Sequence, residues 1–363
     1  MKRSIKTAAV IILAALMLAS VTGCTGQSPW VDSGIGKITA EPAKTPTPEP
    51  VPTEAPTPEP TEAPTPEPTE APTPTPSPEP TPTPAPELPD SFSFGGMEVQ
   101  TGQETVRVTG KQNSPIRITP EEMDMLIMLC PNLKTLTLNY CSMEDYSRIG
   151  ELTDLRNLMI SGTTSAQDPD APLADIDWMG SLGDLRSLYL PYNRIDDIHV
   201  LAKLTKLEEL NLAWNNITDS ELKYLTGLPL EKLYLYCNSA LRDVSALSKI
   251  KSLELLHIGG NKKLRFSGIK ELTNLSHLLE LDISYCPVED FLWIKDFKRL
   301  ETLRIEYSDF IDPDAYYDLA ASETLQTVVI SKEDTQTEAA LRAMIKDRKS
   351  DIEIVYWEEY KSK

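Results

Sequence analysis

Apolar residues recur at fixed spacing through the C-terminal two-thirds of the chain. The stretch from Leu185 to Ile195 shows the unit most clearly, with leucines at its first, fourth and sixth positions and Asn193 at its ninth. Because side chains alternate between the two faces of a strand, positions 4 and 6 point to one face and positions 3 and 5 to the other. Each unit therefore predicts one short strand with an apolar inner face and a polar outer face.

The unit occurs nine times. Its first leucine lies at Leu133, Leu155, Leu185, Leu207, Leu230, Leu253, Leu278, Leu300 and Leu325. The gaps between successive units are 22, 30, 22, 23, 23, 25, 22 and 25 residues. A repeat period in the twenties predicts stacked units that share one continuous core, and it leaves too few residues between strands for long helices.

The repeat resembles the leucine-rich repeat family, and the run from Asn193 to Ile198 is similar to internalin-like repeats. The resemblance implies an α/β solenoid with a parallel sheet on its concave face, 3₁₀ turns or short helices on its convex side, and a cap at each end. It also implies that Cys141 and Cys286, which stand at position 9, are buried residues and not reactive thiols. Four other units carry asparagine there, and these side chains are expected to hydrogen-bond the backbone of the turn: Asn193, Asn215, Asn238 and Asn261.

Two segments are predicted to cover the ends of the solenoid, whose repeats occupy residues 133–334. In the N-terminal cap, residues 91–132, weak alternation around Thr101-Gly102-Gln103 suggests a hairpin, and Thr119 before Pro120 marks a helix start. The C-terminal cap, residues 335–363, is predicted to contain an amphipathic helix, a strand over residues 352–357 and a charged tail that frays.

The N-terminus has the pattern of an export signal. Residues 1–24 combine three early basic residues with an apolar run and end in Val-Thr-Gly-Cys, which resembles a bacterial lipobox. The resemblance implies cleavage before Cys24 and a lipid on its thiol. The protein would then be an extracytoplasmic lipoprotein, held on the outer face of the bacterial cell membrane. An ordinary signal peptide with an incidental cysteine and an uncleaved anchor are the alternatives.

A proline-rich segment separates this signal from the caps and repeats. Residues 25–90 are rich in Pro, Thr and Glu, and nearly every second residue from 41 to 89 is proline. Such a segment cannot bury a core, so it is expected to be a disordered stalk of extended polyproline II character, on the order of 150 Å long. A linker with no length requirement is the alternative.

Composition narrows the possible partners. The 363-residue chain carries a formal net charge of −20, which argues against nucleic acid and against a polybasic membrane patch. No zinc motif is present among the five cysteines, and only Cys130 and Cys141 are close enough in sequence to suggest a disulfide. The acidic residues Asp168, Asp170 and Asp175 lack the spacing of a calcium loop, so a solvated loop is expected and calcium is the alternative. No cofactor or metal is predicted.

Positions 3, 5, 7 and 8 of the units are predicted to line the concave face. Aromatic residues are frequent there, and rigid, amphipathic rings supply contact area to a docking partner. We therefore predict a partner-binding surface, with rings that simply pack on the sheet as the alternative. Its predicted residues are Tyr140, Tyr189, Tyr192, Trp214, Tyr234, Tyr236, His257, Asp282, Tyr285, Arg304 and Tyr307.

The charged residues of this face do not predict an enzyme. His257, Asp282 and Arg304 are consecutive at position 5, and Ser284 lies one row away. Nucleophilic catalysis needs a base within hydrogen-bond reach in a site that excludes water, and an open sheet is not expected to provide one. The sequence thus predicts a non-catalytic cell-surface protein that binds a protein partner, in adhesion or recognition. Carbohydrate binding and envelope scaffolding are the alternatives.

Overall fold

The computed structural model describes residues 88–112, 114–163, 173–307 and 313–360. The predicted export signal, Cys24 and all but residues 88–90 of the predicted stalk lie outside this range. In the described residues, no helix combines the length and the apolar character needed to cross a bilayer.

A single parallel sheet of eleven strands runs the length of the described repeats. The described residues contain fifteen strands, eleven of which belong to this sheet. All fifteen are β1 Ser91–Phe94, β2 Met97–Gln100, β3 Thr105–Thr109, β4 Ile116–Arg117, β5 Thr135–Asn139, β6 Cys141–Ser142, β7 Asn157–Ser161, β8 Ser187–Tyr189, β9 Glu209–Asn211, β10 Lys232–Tyr234, β11 Leu255–His257, β12 Glu280–Asp282, β13 Thr302–Arg304, β14 Thr327–Ile330 and β15 Glu353–Tyr356. The large sheet contains β3, β5 and then β7 to β15 in chain order. The predicted α/β solenoid is therefore confirmed.

In adjacent strands, residues at the same repeat position pair with each other. Leu188 of β8 pairs with Leu210 of β9, and Leu210 pairs with Leu233 of β10. Each position consequently forms a row across the sheet. The leucines at positions 4 and 6, such as Leu188 and Leu190, are fully buried, as the alternation predicted. Burying one such side chain contributes roughly 1.5–3 kcal/mol, so the shared core is the main source of stability.

The asparagines at position 9 form the predicted buried ladder. The Asn238 side-chain amide donates to the carbonyl oxygens of Leu212 (3.0 Å) and Leu235 (3.1 Å), and its Oδ1 accepts from the backbone N–H of Ile217 (2.9 Å). One side chain thus satisfies backbone groups of two neighbouring units. The free thiols of Cys141 and Cys286 are buried in the same row, and burial raises the pKa of Cys141 to about 11, so neither is a reactive thiolate.

The convex side consists mostly of 3₁₀ segments, as the resemblance implied. They span Tyr146–Glu151, Asp177–Ser181, His199–Lys203, Leu222–Leu225, Ser245–Lys249, Glu271–Asn274, Ile294–Asp296 and Pro313–Ala321. Two α-helices precede the C-terminal cap in the described residues: α1 Pro120–Leu129 in the N-terminal cap and α2 Phe266–Lys270 in the repeats. Each convex segment is too short to form a long helix. The units therefore stay thin.

The N-terminal cap differs from the prediction in its hairpin. The hairpin pairs β1 with β2, so its turn is Gly95-Gly96 and not Thr101-Gly102-Gln103. Both glycines have positive φ, which glycine adopts without steric cost. Strand β3 instead pairs in parallel with β5 and continues the large sheet. The predicted start of α1 is confirmed, because Thr119 and Glu122 form a reciprocal capping box.

The C-terminal cap contains α3 Thr335–Arg348, followed by β15 at the end of the sheet. The prediction of a fraying tail from Glu358 is wrong for the described residues. Trp357–Tyr360 forms a helical turn, α4, that packs back against the concave face. Two aromatic residues, Trp357 and Tyr360, anchor this turn.

Candidate functional site: the concave face

The residues at position 8 share an unusual backbone conformation. Eight of the nine have φ between +48° and +76°, including Gly162 and Gly260, and the two glycines show that the position suits a residue without Cβ. A non-glycine residue in this left-handed region costs roughly 1 kcal/mol. Five of the eight are nevertheless aromatic: Tyr140, Tyr192, Trp214, Tyr285 and Tyr307. Cys237 also adopts a positive φ there.

Three of the rings contact one another in a continuous row, which we call the aromatic ladder: Tyr192 stacks on Trp214, and Tyr236 is tilted by 46° against Trp214. The Tyr192 and Trp214 rings lie 5.3 Å apart between centroids and only 14° from parallel, and the Trp214 and Tyr236 centroids are 6.3 Å apart. All three side chains are half-buried. Burial raises the pKa of Tyr192 to about 12, so its hydroxyl remains a hydrogen-bond donor at neutral pH.

Glycines seat the rings at both ends of this region. A Cβ atom on Gly162 would lie 2.5 Å from the Tyr140 ring, and one on Gly259 would lie 2.8 Å from the Tyr236 ring. Larger residues would push these rings off the sheet. A second stack, Tyr285 on Tyr307, has its centroids 5.1 Å apart. The rings therefore pack against one another along the sheet and stay half-buried.

Position 5 forms a second row beside the ladder. Tyr189 and Tyr234 flank Glu209, and burial, together with the charge and hydrogen bond of Glu209, raises the pKa of both tyrosines. Tyr234 in turn meets His257 edge-on, with centroids 5.1 Å apart. Tyr234 and His257 are buried, whereas the prediction placed them on an exposed face.

The C-terminal half of the face holds a buried charge cluster, composed of His257, Glu280, Asp282, Arg304 and Glu306. Arg304 bridges two carboxylates, with Nη1 3.1 Å from Asp282 Oδ2 and Nη2 3.1 Å from Glu306 Oε1. His257 Nε2 lies 2.9 Å from Glu280 Oε1. The sequence predicted Asp282 and Arg304 as exposed binding residues, but they are only 1% and 5% exposed, so this part of the prediction is wrong.

The cluster keeps its charges despite burial. Burial by itself raises the pKa of Glu280, but the hydrogen bond and charge of His257, the charge of Arg304 and the Tyr360 hydroxyl together lower it to about 2. Burial likewise opposes the charge of Arg304, but the three carboxylates of Asp282, Glu306 and Glu280 raise its pKa. At neutral pH the cluster therefore contains ionised carboxylates paired with an ionised guanidinium.

The turn α4 is the reason for this burial. The Trp357 ring lies over the guanidinium of Arg304, whose Cζ is 3.9 Å from the ring centroid. The Tyr360 hydroxyl donates to Glu280 Oε2 at 3.0 Å. At the rim, Lys332 Nζ lies 3.0 Å from Glu359 Oε1. The sequence prediction missed Trp357 and Tyr360 as site residues; Trp357 was counted in the last strand, although it follows β15 directly.

The arrangement does not form a nucleophilic catalytic site. His257 is paired with Glu280 and not with the neighbouring Asp282. The Ser284 hydroxyl accepts a hydrogen bond from the backbone N–H of Glu306 (3.1 Å), and its own N–H donates to Asp282 Oδ1 (2.9 Å). Ser284 is thus a structural residue of the turn.

The remaining candidate sites of the sequence have simple structural roles. Among the described residues, no cluster of His, Cys, Asp and Glu could hold a metal ion. Asp168 and Asp170 lie outside the described residues, whereas Asp175 accepts a hydrogen bond from the N–H of Asp177 (2.9 Å) at the start of a 3₁₀ segment. Cys130 and Cys141 are free thiols, so the disulfide considered for them is absent.

Comparison with known proteins agrees with this repeat structure. Models of leucine-rich repeats match residues 184–224, as two copies, and residues 274–290. The "Protein phosphatase 1 regulatory inhibitor subunit PPP1R7 homolog" of Arabidopsis thaliana is 26% identical over 186 residues, or 50% of this chain and 55% of that protein. "Leucine-rich repeat-containing protein 56" of Mus musculus is 34% identical over 100 residues, which are 27% of this chain and 17% of that protein.

A similar solved structure is an internalin, InlF, from Listeria monocytogenes. It is 24% identical, covers 63% of this chain and 68% of its own, and superposes with a TM-score of 0.45. This chain thus spans about half the length of the phosphatase regulator and a smaller share of the mouse protein. The repeat matches, the in-register parallel strands and the buried asparagine ladder together show that the chain carries a leucine-rich repeat solenoid.

Proposed function

We propose that this chain is a non-catalytic binding protein whose concave face takes a protein partner at the aromatic ladder. The observation that carries the proposal is the row of contacting rings, in which Tyr192 stacks on Trp214 and Trp214 contacts Tyr236. These rings are half-buried on one side and open on the other, and they are held by their neighbours before any partner arrives. Preorganised aromatic residues lose little side-chain entropy on binding, which makes them effective contact residues.

The backbone at the ladder supports the same proposal. Tyr192 and Trp214 occupy left-handed positions where Gly162 and Gly260 show that glycine is accepted. Folding alone would favour the smaller residue, since the ring-bearing residues carry the steric cost of that conformation. A contribution to binding is a physical reason to keep large rings there. The phosphatase 1 relative is named as a regulatory inhibitor subunit, which is also a non-catalytic role.

The decisive experiment removes rings without straining the backbone. Because Tyr192 and Trp214 have positive φ, the double variant Tyr192→Gly with Trp214→Gly should keep the fold while deleting the centre of the ladder. Photo-crosslinking of the purified protein to envelope and culture extracts is expected to label a partner in the wild type and to lose at least tenfold of that signal in the variant. Tyr224→Ala, in the 3₁₀ segment Leu222–Leu225, is the matched control and should leave labelling unchanged.

The same variants separate the alternatives. A glycan-array signal that disappears in Trp214→Gly would identify a carbohydrate ligand, because exposed rings can stack on sugars as well as on proteins. Equal labelling by the wild type and the double variant would contradict ladder binding and favour a scaffolding role that does not use this face.

We further propose that the chain is attached through a lipid on Cys24 to the outer face of a bacterial membrane. The support is the sequence alone: a basic start, an apolar run and Val-Thr-Gly-Cys. Wild-type protein is expected in the membrane fraction after a high-salt wash, and Cys24→Ala in the soluble fraction. Retention of the Cys24→Ala variant in the washed membranes would contradict the lipid anchor.

A further inference from the structure

The turn α4 lies on the concave face in the position that a bound peptide would take. Four residues of the chain pass over the buried charge cluster, and each of the contacts they make there is a kind that also forms between separate molecules: a ring on a guanidinium, a hydroxyl on a carboxylate and an ion pair. None of these contacts is covalent. The turn follows β15 and precedes the last three residues of the sequence.

The site under the turn is built and not incidental. Asp282, Arg304 and Glu306 are each more than nine-tenths buried, and the cluster is tied together across three units by the Arg304 ion pairs and the contact of His257 with Glu280. Because these ion pairs run within the sheet, the floor of the site keeps its internal pairing when the turn leaves. What the turn supplies is the ring over Arg304 and the hydroxyl on Glu280.

The turn α4 leaves one hydrogen-bond donor of the buried charge cluster without an acceptor. The Nε–H of Arg304 is buried and has no acceptor among the described residues. A buried donor without a partner is costly, and a ligand that places a carbonyl or carboxylate oxygen beside it would relieve that cost. The rim ion pair between Lys332 and Glu359 has both side chains more than half exposed, so it holds the turn only weakly.

From these contacts we propose that the buried charge cluster is a second binding site on the concave face, one that takes a short acidic peptide of a partner protein. The peptide carries an aromatic residue and a tyrosine one helical turn apart, and α4 is its resident stand-in. The ring covers Arg304, the tyrosine hydroxyl donates to Glu280, and acidic residues between them meet Lys332 at the rim. The chain's own Trp-Glu-Glu-Tyr has this chemistry.

Occupation by the tethered turn is favoured by proximity. A segment joined directly to β15 acts at an effective concentration of the order of millimolar, so a free peptide of equal intrinsic affinity competes poorly with it. Access for a partner therefore requires either tighter contacts, such as one to the Arg304 Nε–H, or release of the turn. This inference rests on the proposed function in that both use the concave face, but its site is separate from the aromatic ladder.

The test uses the full chain and a peptide of residues 357–363, Trp-Glu-Glu-Tyr-Lys-Ser-Lys, labelled with a fluorophore. The turn is loosened by Trp357→Ala with Tyr360→Ala, and peptide binding is followed by fluorescence polarisation. The wild-type chain is expected to bind the peptide at least tenfold more weakly than the loosened variant. A peptide with alanine in place of its tryptophan should bind the loosened variant about tenfold more weakly than the native peptide.

Several results would overturn the proposal. They are equal binding of the two peptides, no binding to a loosened variant that retains its circular dichroism, and a loosened variant that fails to fold, which would make the turn part of the core. Exchange of the turn between two copies, seen as a wild-type dimer by light scattering, would assign the site to self-association instead. This experiment does not use the natural partner. A failure would therefore leave the proposed binding at the aromatic ladder untouched, because that proposal is tested separately with the Tyr192 and Trp214 variants.

Discussion

The two halves of the concave face treat the same repeat positions differently. Around Tyr192 and Trp214 the rings stack side by side and keep one surface toward solvent. Around Asp282 and Arg304 the side chains are charged, paired and hidden beneath α4. The comparison teaches that the repeat fixes the direction of a side chain, whereas its exposure depends on what lies above the sheet.

The largest expected effect that tests this difference is in the covered half. Replacing Arg304 by alanine leaves the carboxylates of Asp282 and Glu306 buried without their cation, and we expect a loss of about 3–5 kcal/mol in the free energy of unfolding. Urea unfolding measures it. The matched control is Arg186→Ala, because Arg186 pairs with Glu208 on the surface, and its loss should be about 0–1 kcal/mol. Similar losses for both variants would mean that the cluster behaves as ordinary surface.

A smaller effect is expected from acid. The folded-state pKa of Glu280 is lowered to about 2, so its ionised form stabilises the fold above the ordinary glutamate pKa, and that contribution is lost as the pH falls through about 2. At most it amounts to roughly 3 kcal/mol. Between pH 5 and pH 2 the unfolding free energy of the wild type should therefore fall more steeply than that of Glu280→Gln. Parallel pH profiles would contradict the assigned pKa, and Glu208→Gln serves as the exposed control.

The smallest effect distinguishes backbone from ring in the open half. Because Trp214 has a φ of +57°, Trp214→Gly should be more stable than Trp214→Ala by up to about 1 kcal/mol. Tyr189 lies in strand β8, where the order should reverse, with alanine better than glycine by about 0.5–1 kcal/mol. Thermal unfolding of the four variants measures both differences. The same order at both positions would exclude a role for the left-handed backbone.

Most of the fold could be predicted because the same sequence pattern occurs in many successive units. The alternation of Leu188 and Leu190 with outward residues, and the asparagines from Asn193 to Asn261, encode strand direction and turn at every unit. The hairpin of the N-terminal cap occurs once, and its signal was weaker. Gly95-Gly96, where the turn lies, was overlooked in favour of the alternation around Gly102.

The site was predicted less well, for a physical reason. The register of the strands decides which residues lie in the same row. The sequence therefore placed His257, Asp282 and Arg304 side by side, in agreement with the observed strand pairing. The burial of Arg304 depends on a tertiary contact from Trp357, which belongs to the end of the chain and carries no repeat signal. The left-handed backbone at position 8 did have a signal, since Gly162 and Gly260 share that position with the aromatic residues.

The asparagine ladder has a consequence for how the solenoid comes apart. Its last member, Asn261, is buried with Oδ1 lacking a partner among the described residues, and Cys286 continues the row with a thiol that donates a weak hydrogen bond to the Ile258 carbonyl. Beyond this point, neighbouring units are held together by the Arg304 ion pairs and no longer by asparagine amides. Acid weakens ion pairs, whereas it does not affect the hydrogen bonds of the amides. Native-state hydrogen exchange at falling pH should therefore show the C-terminal units opening first, while strands β8 to β10 stay protected.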